Sequence, residues 1–146
     1  MAELGLKAIG HVALKVADIE RSLAFYRDRL GFDEMMRLNR DDGSLWLVYL
    51  RITDTQFIEL FPHGEGTRAP GSNATAINHF CLESHNLDAT AAALRSRGLK
   101  LTVEPKMGAD NNRQCWIEDP DGNRIEFMQM MDDSMQAAAI RRLSGG

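Results

Sequence analysis

Apolar and polar positions alternate over residues 8–16, Ala-Ile-Gly-His-Val-Ala-Leu-Lys-Val, which predicts a half-buried strand. Asp18 is placed to cap a helix over 19–30, where Ile19, Leu23, Phe25, Tyr26 and Leu30 recur at roughly helical spacing. Gly31 suits the position just past the end of that helix. Strands follow near 32–38, 44–52 and 55–61, with Asp41-Asp42-Gly43 as the first hairpin turn. The order then recurs: a strand over 76–83, a helix over 87–97 closed by Gly98, and strands near 99–104, 113–118 and 123–130. Asp119-Pro120-Asp121-Gly122 marks the last turn. A short amphipathic helix over 133–143 ends the pattern.

The recurrence extends to residue identity. Ala8-Ile9-Gly10-His11-Val12-Ala13-Leu14 lies over Ala76-Ile77-Asn78-His79-Phe80-Cys81-Leu82, with four identities in seven. Arg27 and Arg29 match Arg95 and Arg97, and after a one-residue slip Ile58-Glu59-Leu60 matches Ile125-Glu126-Phe127. The chain is read as two copies of one βαβββ module, residues 7–62 and 75–131, within a single α+β domain spanning 1–146. The Pro/Gly-rich stretch from Pro62 to Ser72 connects them.

Composition narrows the partners. Of 146 residues, 44% are hydrophobic and 26% charged, ordinary for a chain that buries its own core. A net charge of −4 without clustered cations argues against nucleic acid. No apolar run approaches the roughly 20 residues of a membrane span. The start, Met1 to Lys7, shows neither a basic segment nor an apolar run, so a cytoplasmic protein is expected. Cys81 and Cys115 read as free buried thiols.

The chemistry lies in polar residues set into apolar strands. The repeat superimposes His11 on His79 and Glu59 on Glu126, within Phe57-Ile58-Glu59-Leu60-Phe61 and Ile125-Glu126-Phe127-Met128. Glu is disfavoured in strands, and an unpaired buried carboxylate costs several kcal/mol, so each needs a partner. Glu126 could find one in Arg124 at a solvated edge; Glu59 shares its face with Phe57 and Phe61. Two His and two Glu form a ligand set for a borderline divalent metal, with positions left for water or substrate. Strand phase and loop position add Lys15, Phe57, Phe61, Lys106 and Arg113 as substrate-binding candidates.

These residues resemble the vicinal oxygen chelate (glyoxalase/bleomycin resistance/dioxygenase) superfamily. The resemblance covers about residues 7–131. It rests on Gly10-His11-Val12-Ala13-Leu14-Lys15-Val16, on Asp18 through Tyr26 to Leu30-Gly31-Phe32, on Ile58-Glu59-Leu60, on Ile77-Asn78-His79-Phe80, and on Glu118-Asp119-Pro120-Asp121-Gly122-Asn123-Arg124-Ile125-Glu126. It implies paired βαβββ modules with curved mixed sheets around a metal. The His-Glu-His-Glu order is most similar to bacterial glyoxalase I, lactoylglutathione lyase. That enzyme turns the hemithioacetal of a 2-oxoaldehyde and glutathione into a 2-hydroxyacyl thioester, through an enediolate stabilised by the metal.

Carried over, the resemblance makes His11, Glu59, His79 and Glu126 the metal ligands. Glu126 becomes the base that moves the proton, and Glu59 assists it. Nickel or cobalt is the favoured ion, with zinc, manganese or iron as possible alternatives. The expected partners are a glutathione or other thiol adduct and a second copy of the chain in a homodimer. Three departures bear on the thiol. Lys15 stands where the family usually has an Arg gripping a glutathione carboxylate, and His63 replaces an Asn. The 105–112 loop lacks the family's usual Lys-Gly-rich anchor for the glycyl carboxylate, and only Lys106 and Arg113 are available there. The alternatives are a methylmalonyl-CoA epimerase-like or other isomerase of the same superfamily, and a non-catalytic small-molecule binding protein of the resistance type.

Overall fold

The computed structural model describes residues 4–145; Met1-Ala2-Glu3, part of the segment read above for a leader signal, lies outside them. The chain divides after Thr67 into two compact units.

The first unit runs β1 (His11–Lys15), α1 (Ile19–Leu23) with a π-helical continuation (Ala24–Arg29), β2 (Asp33–Asn39), β3 (Leu45–Thr53) and β4 (Gln56–Phe61). The second runs β5 (Phe80–Glu83), α2 (Leu87–Ser96), β6 (Val103–Met107), β7 (Arg113–Glu118), β8 (Arg124–Gln129) and α3 (Met135–Leu143). Their sheets have matching orders, β1-β4-β3-β2 and β5-β8-β7-β6. In each, the first strand pairs parallel to the last and the other pairings are antiparallel. This is the tandem βαβββ arrangement expected from the repeat.

Local chemistry sets the helix ends. Asp18 Oδ1 accepts from the Arg21 N–H at 3.0 Å, and Asn86 Oδ1 accepts from the Ala89 N–H at 3.0 Å. Gly31 and Gly98 close the two helices with φ of 83° and 72°, the left-handed conformation glycine adopts without a Cβ penalty.

Three details depart from the sequence pattern. The predicted helix over 19–30 widens from Ala24, where the Leu30 N–H bonds to the Phe25 carbonyl at 2.9 Å, five residues back. That turn buries two adjacent aromatics: Phe25 and Tyr26 pack edge-on at 4.9 Å, and Tyr26 stacks on Phe32. Residues 76–79 are not strand, because β5 starts at Phe80, where pairing with Ile125 begins. The strand expected over 99–104 lies at Val103–Met107, because Leu99 and Leu101 are buried in the approach to it.

Strand alternation sorts each sheet into two faces. In the first, Ile58 sits between Val12 and Leu50, and Leu60 between Leu14 and Val48. Ile58, Leu60, Leu50 and Val48 are fully buried, on the face opposite to Glu59. In the second, Ile125 lies between Phe80 and Ile117, and Phe127 between Leu82 and Cys115. Glu126 therefore points to the other face. Cys115 is buried, as expected, but Cys81 is exposed, because its strand is at the sheet edge and its side chain shares the Glu126 face. No helix among the described residues is long and apolar enough to cross a membrane.

Candidate metal centre

Each sheet presents one His–Glu pair on the face away from its buried core. In the first unit, Glu59 lies between Ala13 of β1 and Tyr49 of β3. Its side chain is 7% exposed, and His11 Nε2 stands 3.4 Å from Glu59 Oε2. Across the strand, hydrogen bonding to Glu59 raises the Tyr49 hydroxyl above its usual pKa, with burial and the carboxylate charge acting in the same direction. The His11 ring packs edge-on to Tyr49 at 6.4 Å.

The second unit repeats this with different neighbours. Glu126 lies between Cys81 of β5 and Trp116 of β7, and His79 Nε2 stands 3.0 Å from Glu126 Oε2. His79 Nδ1 is 2.8 Å from Asn78 Oδ1, and the Asn78 amide in turn donates to the Ser72 carbonyl at 3.0 Å. Trp116 packs edge-on against the His79 ring at 4.7 Å. Although Cys81 as a residue is exposed, desolvation around its sulfur first, then the neighbouring Glu126, pushes the thiol up to about 12. The thiol is therefore neutral at physiological pH. Arg124, the alternative partner of Glu126, instead donates to the Asn78 carbonyl at 2.6 Å.

Both pairs fit a divalent ion. Two ligands held about 2.1 Å from one ion, at angles between octahedral and tetrahedral, stand roughly 3.0–3.4 Å apart. Those are the separations of His79 from Glu126 and of His11 from Glu59. In the second pair, an Nδ1–H donated to Asn78 leaves the Nε2 lone pair facing Glu126, the tautomer a metal-ligating histidine needs. Among the described residues, no three His, Cys, Asp or Glu side chains gather as a metal site, so each unit is seen to supply one pair.

The other candidates scatter. Lys15 shares the His11 face of β1, exposed, beside Phe61. Phe57 and Phe61 flank Glu59 on β4 and are half-buried. Lys106 is exposed and pairs in register with Gln114. Arg113 is bound by Asp88 of α2 through two bonds, at 2.9 and 2.8 Å. His63 is exposed, with φ of 64°, ahead of Gly64, where a Cβ would press on the Val16 carbonyl at 3.1 Å.

Sequence reasoning missed Tyr49, Asn78, Gln114 and Trp116. The signal for Trp116 was available: the turn at Asp119–Gly122 sets Glu118 opposite Arg124, and stepping two residues away from the turn on each strand sets Trp116 opposite Glu126. Tyr49 was harder, since the register shifts by one between Arg51 and Thr53.

The glyoxalase/bleomycin resistance protein/dioxygenase superfamily model matches residues 8–127, and the chain belongs to that superfamily. It is 28% identical over 121 residues to an ethylmalonyl-CoA/methylmalonyl-CoA epimerase of Cereibacter sphaeroides, covering 79% of this chain and 90% of the relative. To a lactoylglutathione lyase of Haemophilus influenzae it is 27% identical over 132 residues, covering 82% and 90%. Among solved structures, a glyoxalase family protein from Enterococcus faecalis superposes with a TM-score of 0.73 at 21% identity, over 84% of this chain and 97% of that one.

Proposed function

We propose that the protein is a metal-dependent lyase or isomerase that moves a proton between adjacent carbons beside a carbonyl. The hemithioacetal of a 2-oxoaldehyde and glutathione is the first substrate to test. The observation that carries this reading is the pair of His–Glu couples, at 3.4 and 3.0 Å, at repeat-related positions: His11 opens β1, and His79 immediately precedes β5. His11, Glu59, His79 and Glu126 hold the ion, nickel or cobalt by preference. When bound, it supplies Lewis-acid stabilisation of the negative charge that develops on the substrate oxygens.

The remaining work falls to side chains. Glu126 takes the proton from the carbon beside the carbonyl and returns it to the neighbouring carbon, since its carboxylate is the less buried of the two. Glu59, facing Tyr49 and bonded to its hydroxyl, assists. Phe57 and Phe61 keep water from Glu59, and Lys15 and Lys106 offer cations to the carboxylates of the thiol carrier. The protein acts as a homodimer in the cytoplasm.

A second reading is epimerisation of a 2-alkylmalonyl thioester. It is favoured by Arg113, whose guanidinium is already matched by Asp88, leaving lysines to grip the two glutathione carboxylates. The deciding experiment uses protein stripped of metal and reloaded with nickel, offered methylglyoxal plus glutathione and, separately, methylmalonyl-CoA in deuterated water. Nickel-dependent thioester formation supports the first reading. Deuterium uptake at the acyl carbon alone selects the second, and neither reaction in a nickel-loaded sample rejects both.

A further inference from the structure

The two histidines are held differently, through Asn78 and through an indole that a glutamine fixes. His11 follows Gly10, which has no side chain to orient it, and its side chain is 47% exposed. The repeat puts Asn78 at the equivalent place before His79, where the ring meets the Asn78 carboxamide on one side and the Trp116 indole on another. The indole is itself fixed: Trp116 Nε1–H donates to Gln114 Oε1 at 2.6 Å, two residues back on the same face of β7. The other end of that carboxamide is boxed in. A Cβ built at Gly108 would overlap Gln114 Nε2 and come within 3.2 Å of the Asn112 carbonyl. The loop around it is closed by bonds from the Gly108 N–H to the Asn112 carbonyl at 2.7 Å and from the Asn111 N–H to the Gly108 carbonyl at 3.1 Å.

We propose that Gln114 is a positioning residue for His79: its carboxamide, wedged against Gly108, sets the Trp116 indole, and the indole edge sets the imidazole. The inference rests on the reading of His79 as a metal ligand. An imidazole whose ring angle is preset loses less freedom when it binds an ion, and partners one step removed from a ligand commonly change metal affinity tenfold or more. Gln114 bonds to Trp116, and Trp116 packs on the His79 ring, so its effect passes through the indole. The second sheet is thereby the better organised half of the ligand set.

The test replaces Gln114 by Met, which keeps length and bulk but cannot accept the indole N–H, and separately replaces Trp116 by Phe. Both proteins are titrated with nickel chloride by calorimetry, and the His79 ring nitrogens are followed by long-range proton–nitrogen NMR without metal. In Gln114→Met, nickel affinity is expected to fall about tenfold, and the His79 ring resonances to shift and broaden as the imidazole samples more than one orientation. Trp116→Phe is expected to do the same, and the double variant to lose no more than either single one, because both cut one chain of contacts. A folded Gln114→Met protein with parental nickel affinity and an unchanged His79 spectrum overturns the proposal, as do losses that add in the double variant. Failure of the parent to bind nickel overturns the metal reading alone, and the ring spectrum still decides the role of Gln114.

Discussion

Arg113 and Asp88 form a two-point ion pair, Nη1 to Oδ2 at 2.9 Å and Nη2 to Oδ1 at 2.8 Å, that ties β7 to the first turn of α2. Each group moves the other: the Arg113 guanidinium holds the Asp88 carboxyl below its usual range, and Asp88 raises Arg113. An arginine satisfied in this way has little to offer a substrate carboxylate. Arg113→Ala is therefore expected to leave KM for the active thioester substrate within about twofold, as for a surface change away from the site. Lys15→Ala, by contrast, is expected to raise KM about tenfold, the order of a lost charged hydrogen bond. Steady-state kinetics on both variants checks this, and a large KM effect at Arg113 would return it to the list of anchors.

Glu34 offers a test by pH. Arg37 bonds it through Nε at 2.6 Å and Nη2 at 3.1 Å, and Arg27 Nη1 adds a third bond at 2.9 Å. The bond from Arg37, opposed by burial and reinforced by Arg27, lowers the Glu34 carboxyl below its ordinary value. A carboxyl depressed in the folded state contributes stability that is present above its unfolded value, about 4.3, and is lost as pH falls through the folded one. Glu34→Gln should thus lower stability by up to about 1 kcal/mol at pH 7, allowing for solvent screening, and by progressively less below pH 4. Urea midpoints of parent and variant across that range measure the difference, and a gap that stays constant in acid would exclude the pair as its cause.

How far such features could be read from the sequence depends on the distance over which they are encoded. The two modules, their strand faces and the two His–Glu couples follow from local alternation and from a repeat at an offset of 67–68 residues, both of which show in residue identities alone. The π-turn at Ala24 was not legible, because Phe25 and Tyr26 fit a regular apolar stripe equally well and only the packing of both rings reveals the wider turn. Arg113 looked like a free cation because its partner lies 25 residues away on another element. The Gln114–Trp116–His79 contacts combine a register with ring orientation, and the sequence alone carries only the first.

Asn112 anchors α3. It is 2% exposed; its side-chain Nδ2 donates to Asp110 Oδ2 and to Gln136 Oε1, both at 2.9 Å, and its Oδ1 accepts from the Met131 N–H at 3.0 Å. Removing the carboxamide strands partners on both sides of the junction between the β6–β7 loop and the helix. Asn112→Ala should cost about 2–3 kcal/mol, the penalty for leaving buried polar groups unpaired. Hydrogen exchange in α3 should rise with it, since the Met135 N–H bonds to the Asp110 carbonyl in the same loop. A urea midpoint unchanged by the substitution would mean that water replaces the side chain and that α3 docks by its apolar face alone.

Glu59 and Glu126 occupy the same place in the repeat but not the same surroundings, so replacing each by Gln should have different consequences. Glu59 is 7% exposed and faces a tyrosine hydroxyl that can bond a carboxylate or a carboxamide oxygen. Glu126 is 15% exposed and faces an indole whose N–H is taken by Gln114, with only the neutral Cys81 thiol opposite. Gln cannot accept the substrate proton. Glu126→Gln is therefore expected to lower kcat by about 10²–10⁴-fold, the usual contribution of a general base, while the protein stays folded. Glu59→Gln should retain more turnover and show its loss mainly in nickel affinity. Measuring bound nickel alongside kcat separates a lost ligand from a lost base. Full turnover in Glu126→Gln at full metal occupancy would move the base to Glu59.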